Sequence, residues 1–199
     1  MKHCLVALLA SVFALATVPA DAQQKPMRIR GTITAFEGNM LSVKSRDGRD
    51  LVIELGEKAS VATAKAITLA DLKQGDYVGS TTTTRADGAL VAVEVHTIPR
   101  TVREGHGPWD LEPGSMMTNA NIESMVQSAG GHELTLVYKE GSQKVLVPGG
   151  TPIVTQVAAD RSFLKPGEYV FLSANVGADG KLTTSARIQV SRDGVKPPQ

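Results

Sequence analysis

The chain has 199 residues, with 21 lysines and arginines against 20 aspartates and glutamates, for a formal net charge of +1. The two signs are interspersed and aromatic residues make up only 4%, so the basic groove and stacking platform that nucleic-acid binding requires are both missing. The single cysteine, Cys4, sits in the N-terminal apolar segment, which leaves the rest without disulfides, thiolate metal sites or a cysteine nucleophile.

Lys2 and His3 precede an uncharged apolar run from Leu5 to Thr17, and Ala20-Asp21-Ala22 supplies the small-x-small pattern that signal peptidase accepts. We expect a secretory leader over residues 1–22, cleaved after Ala22, and a mature chain that is periplasmic or secreted. The run is shorter than the ~20 residues a spanning helix needs. No later stretch is long and apolar enough to span, which argues against a permease or channel.

The mature chain reads as strands. From Arg28 to Phe36, the apolar or small positions Ile29, Gly31, Ile33 and Ala35 alternate with Arg28, Arg30, Thr32 and Thr34. A period of two marks a half-buried strand. Leu41 and Val43 form the next, and Asp47-Gly48 turns the chain into Leu51, Ile53 and Leu55, because Asp-Gly tolerates positive φ. Thr68 to Leu72 suggests a short helical turn capped by Thr68. Tyr77 to Thr84 and Ala89 to Ile98 make a hairpin around Ala86-Asp87-Gly88. In its second strand, Leu90 and Ala92 are followed by Val93 and Val95, a change of phase that predicts a β-bulge.

The same order then recurs. Leu72-Lys73-Gln74-Gly75-Asp76-Tyr77-Val78 matches Leu164-Lys165-Pro166-Gly167-Glu168-Tyr169-Val170, and Ala86-Asp87-Gly88-Ala89-Leu90 matches Ala178-Asp179-Gly180-Lys181-Leu182. Both matches share one offset, since 164 − 72 = 92 and 178 − 86 = 92. Copy two places its strands at Asn119 to Gln127, Leu134 to Tyr138, Gln143 to Val147, Tyr169 to Val176 and Leu182 to Val190, with its turn at Ser162 to Leu164. Each copy runs strand, strand, strand, helical turn, strand, strand, the order of an OB-type barrel. The expected fold is all-β: two tandem five-stranded OB-like barrels over 28–98 and 117–190, with a Gly/Pro-rich linker over 99–116 and disordered tails over 23–27 and 191–199. An open five-stranded sheet and a pair of interlocked half-barrels satisfy the same pattern.

The motif R-x-x-G-x-I is carried by Arg28, Gly31 and Ile33. L-x-V followed by D-G is carried by Leu41, Val43, Asp47 and Gly48, and the remaining motifs by Asp71 to Val78 and Ala86 to Ala92. Together they resemble a family of bacterial secreted domains of unknown function, held to be small OB-like barrels. Copy two departs from the pattern, with Asn119 at the glycine and Thr184 at the alanine. With the linker Gly105 to Leu111, the arrangement also resembles proteins sometimes labelled metal ABC-transporter permeases. The resemblance supplies no active residues; its motifs mark turns and core.

The candidate sites are few. Trp109, the only tryptophan, lies in the Gly/Pro-rich linker. It either stacks on a ligand, with His106 and Asp110 beside it, or anchors the linker in a groove between barrels; we favour the anchor. A metal site would have to draw His96, His106 and His132 together in space, with Glu104 or Asp110 as oxygen ligands, because no ligand spacing such as H-x-x-x-H occurs. Met116-Met117 offers soft ligands for copper, although packing is the simpler role. Asp87-Gly88 and Asp179-Gly180 are turns rather than calcium loops. No nucleophile elbow, phosphate cradle or carboxylate pair is present. The expectation is therefore a non-enzymatic binding or structural module of the cell envelope, without a cofactor, whose partner is an envelope protein or small ligand. A periplasmic metal-handling accessory is the alternative, and an enzyme the next.

Overall fold

In the computed structural model, residues 25–198 are described. The leader expected over residues 1–22 lies outside them. Alternation becomes strand wherever it was legible: β1 (Met27–Glu37), β2 (Met40–Ser45) and β3 (Asp50–Leu55) bury Ile29, Ile33, Leu41, Val43, Ile53 and Leu55. Asp47-Gly48 joins β2 to β3, with Gly48 at φ +88° and the Asp47 carboxylate accepting from Arg49 at 2.8 Å. The next strand, β4 (Ser60–Ala66), was not foreseen, because its sequence Ser-Val-Ala-Thr-Ala-Lys-Ala is rich in alanine. Four consecutive residues of it are buried, so it shows no period of two.

A 3-10 turn at Leu69–Asp71 follows. Thr68 and Asp71 form a capping box at its start, in which the Asp71 carboxylate accepts from the backbone N–H and the hydroxyl of Thr68 at 2.8 Å each. Strands β5 (Tyr77–Thr84) and β6 (Leu90–Thr97) form the expected hairpin. Thr81 pairs with Glu94 and Thr82 with Ala92, which leaves Val93 as the bulge. After a short β7 (Gly105–Pro108) come β8 (Met116–Ser128), β9 (Gly131–Tyr138) and β10 (Gly141–Pro148). β11 (Ile153–Ala159) is the counterpart of β4, and a 3-10 turn at Arg161–Phe163 leads to β12 (Tyr169–Val176), β13 (Leu182–Thr184) and β14 (Arg187–Val190).

Two five-stranded rings close, and each takes strands from both the 28–98 and the 117–190 stretch. The first runs β1-β2-β3-β13-β12 and back to β1. The second runs β8-β9-β10-β6-β5 and back to β8. Their cores are separate. One unites Ile29, Leu41 and Ile53 with Val170, Leu172 and Ile188, beneath Leu164; the other unites Leu134, Leu136 and Val145 with Val78 and Val95, beneath Leu72. Neither 28–98 nor 117–190 closes a ring with its own strands alone. Of the arrangements the sequence left open, the interlocked one is observed.

β4 and β11 carry the exchange. A strand advances about 3.3 Å per residue, so seven residues move the chain roughly 23 Å, from one barrel to the next. The two crossovers pair antiparallel, Val61 with Ala159 and Ala66 with Val154. Since 154 − 61 and 159 − 66 are both 93, each crossover meets its own counterpart about a local two-fold. Register also corrects one repeat equivalence. Gly31 faces Val170 and Ala120 faces Val78, and 170 − 78 = 92. Ala120 therefore occupies the place of Gly31, and Asn119 that of Arg30.

Two segments differ from expectation. The 99–116 stretch does not link two barrels. It connects strands of the second ring, and β7 pairs with β8 from Gly105–Asn119 to Pro108–Met116, making a hairpin arm. The 191–199 stretch was expected to be disordered. Among its described residues, Arg192 and Val195 bridge around Asp193 and Gly194, both at positive φ, and Pro197 and Pro198 are buried.

Candidate binding groove

The arm is shaped by its own backbone chemistry. Pro113 and Gly114, the latter at φ +79°, turn the chain so that Ser115 N–H donates to Glu112 O at 3.0 Å, while Trp109 N–H donates to Ser115 O at 2.8 Å. Proline at the second and glycine at the third position of such a turn suit these dihedrals. Ser115, itself buried, donates its hydroxyl to Trp109 O and Glu112 O. The tip of the arm is thereby stiff, and it lands on the first barrel.

Three arginines of that barrel receive it. Arg28 stacks over the Trp109 ring at 4.0 Å from the centroid, and Arg30 lies 5.7 Å from the same ring and 4.5 Å from that of Phe171. The Asp110 carboxylate accepts from Arg30 at 2.9 Å and approaches Arg28 at 3.4 Å. Arg46 donates to the carbonyls of Asp110 and Leu111 at 2.8 and 2.6 Å. The Arg30 side chain is only 3% exposed, so its charge depends on Asp110 for compensation. Burial pushes the Asp110 pKa up, but the hydrogen bond and charge of Arg30, with Arg28, hold it below the usual carboxylate value. The anchoring role of Trp109 thus has a visible geometry.

Between the barrels, beside the anchor, lies a cavity of about 360 Å³. Trp109, Met117 and Asn119 wall it from the second barrel, Phe171 and Gln189 from the first, and His96 lies at its edge. Its polar rim is a relay in which Arg187 donates to Gln156 at 3.1 Å and Gln156 donates to Gln189 at 2.9 Å. Beside the cavity, a glycine of β5 makes room for the His96 ring. Phe171 in β12 corresponds to Gly79 in β5, because 171 − 79 = 92. A Cβ on Gly79 would come within 2.5 Å of His96 Nε2 and 3.1 Å of Asn119 Oδ1. Where β12 projects the Phe171 ring, β5 has no side chain and His96 packs against its backbone.

His96 is buried, and among the described residues no hydrogen-bond partner meets its Nδ1. Glu94 Oε1 lies 3.5 Å away, beyond hydrogen-bond reach, and accepts from the Thr81 hydroxyl at 3.2 Å. Burial pushes the His96 pKa down to about 4, so the ring is neutral at pH 7.

Around Trp109 the groove continues into a second space of about 440 Å³, which shares Trp109, Met117 and Asn119 and adds Glu104, His106, Tyr138 and Arg103. His106 stacks on Tyr138 with centroids 6.5 Å apart, and its Nδ1 lies 2.8 Å from the Thr118 hydroxyl. Burial lowers its pKa as well.

Of the residues singled out from sequence, Trp109, His106, Glu104 and His96 therefore line this groove. Asp110 is turned to the arginines, and His132 sits in the β9 hairpin opposite Gln127 and Val147. Among the described residues no three histidine, aspartate or glutamate side chains converge as metal ligands would. Sequence reasoning missed Phe171, Asn119 and Gly79. The available signal was the mismatch of Tyr77-Val78-Gly79 with Tyr169-Val170-Phe171 inside an otherwise matching motif.

Compared with known proteins, the chain matches no family model, no curated protein and no solved structure. No helix among the described residues is long and apolar enough to cross a membrane.

Proposed function

We propose that this chain is a non-enzymatic binding module of the bacterial cell envelope, exported by its leader, which holds a ligand or partner segment in the groove around Trp109. One observation carries the reading: both barrels contribute to a cavity whose size falls in the usual range for ligand sites, apolar on its walls and polar at a few fixed points. Trp109, Phe171 and Met117 supply the apolar contact, and Gln156, Gln189 and Asn119 supply donors and acceptors.

The test is a screen of small neutral fragments by two-dimensional NMR. Trp109 provides a single indole N–H to watch. The expected result is that hits converge on the resonances of Trp109, Asn119 and Phe171 and are lost in Trp109→Ala. Hits scattered over the surface, or none at all, would contradict the reading.

A further inference from the structure

A second cavity of about 560 Å³ lies along the same side of β6, lined by Val93, Glu94, Leu111, Ile153, Lys196 and Pro197, among others. The 360 Å³ cavity counts Pro198 among its walls. Consecutive prolines thus face different cavities, and so do the near neighbours Trp109 and Leu111. The segment Val195-Lys196-Pro197-Pro198 therefore runs between the two spaces.

Covalent geometry sets how it lies there. Asp193 at φ +52° and Gly194 at φ +79° reverse the chain in a two-residue turn, with Arg192 and Val195 exchanging backbone hydrogen bonds at 2.8 and 3.0 Å. Positive φ at both central positions is the Asp-Gly hairpin geometry. Beyond it, each proline fixes its own φ near −65° and bars the residue before it from helical backbone. The Lys196-Pro197 pair is consequently held extended. Both prolines are buried, whereas Lys196 is exposed with its Nζ 5.3 Å from the Tyr169 ring, and Lys196 and Glu94 both line the larger cavity.

We propose that the groove is a recognition cleft for an extended peptide in which a basic residue precedes two prolines, and that residues 195–198 are its intramolecular occupant. This rests on the binding reading above and names its ligand class. Pre-extended proline segments suit apolar, aromatic-walled clefts because little chain entropy is lost on docking. Trp109 and Phe171 wall the proline end, and Glu94 lines the cavity of the basic residue. A tethered occupant has an effective concentration of roughly 1 mM. A free peptide binding at about 0.1 mM would then appear about tenfold weaker in the intact chain.

The experiment titrates a synthetic peptide of sequence 191–199 into the full chain and into the full-length double variant Pro197→Gly, Pro198→Gly, reading Trp109 fluorescence and indole N–H shift. The expected result is binding to the double variant about tenfold tighter than to the parent, and no binding of a peptide with both prolines replaced by glycine. Equal affinity for both chains, or binding that ignores the prolines, overturns the proposal. Should the double variant fail to fold, Lys196→Glu in the full chain replaces it; a several-fold gain in peptide affinity is expected, and no gain overturns the proposal. Fragment hits in the groove without peptide binding would sink this inference alone, whereas loss of both would sink the binding reading as well.

Discussion

Replacing Trp109 by alanine removes the ring through which the arm of one barrel rests on the other. Truncating a fully buried tryptophan or phenylalanine costs about 3–5 kcal/mol. Trp109 is half-buried, so roughly half of that, about 2 kcal/mol, is the packing loss. The guanidinium of Arg28 at 4.0 Å, with Arg30 at 5.7 Å, adds about 0.5–1 kcal/mol of cation–π attraction. The sum is about 2–3 kcal/mol. For a chain of this size each kcal/mol lowers Tm by about 2–4 °C, so Trp109→Ala should melt about 5–10 °C below the parent by far-UV circular dichroism. Trp109→Phe keeps a ring for both arginines and should recover about half of the loss. An unchanged Tm in Trp109→Ala, with Arg28 and Phe171 resonances in place, would refute the anchoring argument.

Three other perturbations follow from the same geometry. His96 takes up a proton less readily in the folded chain than in the unfolded one, so stability is complete above pH 6.5 and falls as the pH drops toward about 4, by about 3 kcal/mol in all; His96→Leu should flatten the dependence of Tm on pH over that window, and identical profiles would count against it. Gly79→Ala forces a methyl against the His96 ring and should cost about 1–3 kcal/mol in urea unfolding while weakening fragment binding in the groove; a silent substitution would mean the hollow is not closely packed. Asp110→Ala strands the buried Arg30 charge and should cost about 2 kcal/mol, tempered by the half-exposed carboxylate, whereas Asp110→Asn keeps an acceptor and loses less; equal losses in denaturant melts would show that charge is not what matters.

Much of the fold was legible because local rules and global packing agree over most of the chain. Ile29, Ile33, Leu41, Val43 and Ile53 alternate in sequence and point inward in the structure, and the Leu90–Val95 change of phase is a bulge at Val93. β4 and β11 were illegible for a physical reason. β4 buries four consecutive residues and is built of small residues that do not advertise a strand, while β11 buries only Ile153 and Val154 at its start, so neither shows alternation. Strand exchange cannot be read from periodicity at all, because β12 presents the same inward faces to β1 that β5 would. Asp193-Gly194 is a hairpin-turn pair in sequence, but the charged, proline-rich composition around it reads as a tail. In the groove, the sequence exposed Trp109 through its rarity. Phe171 and Gly79 matter only through their juxtaposition across the two barrels.

The exchange of strands is the claim on which the groove depends, and backbone NOEs measure it directly. In the interlocked fold, cross-strand NOEs connect Ile29–Gly31 with Val170–Leu172, and Asn119–Asn121 with Tyr77–Gly79. NOEs joining Ile29–Gly31 to Tyr77–Gly79, with each copy closing on itself, would contradict the account.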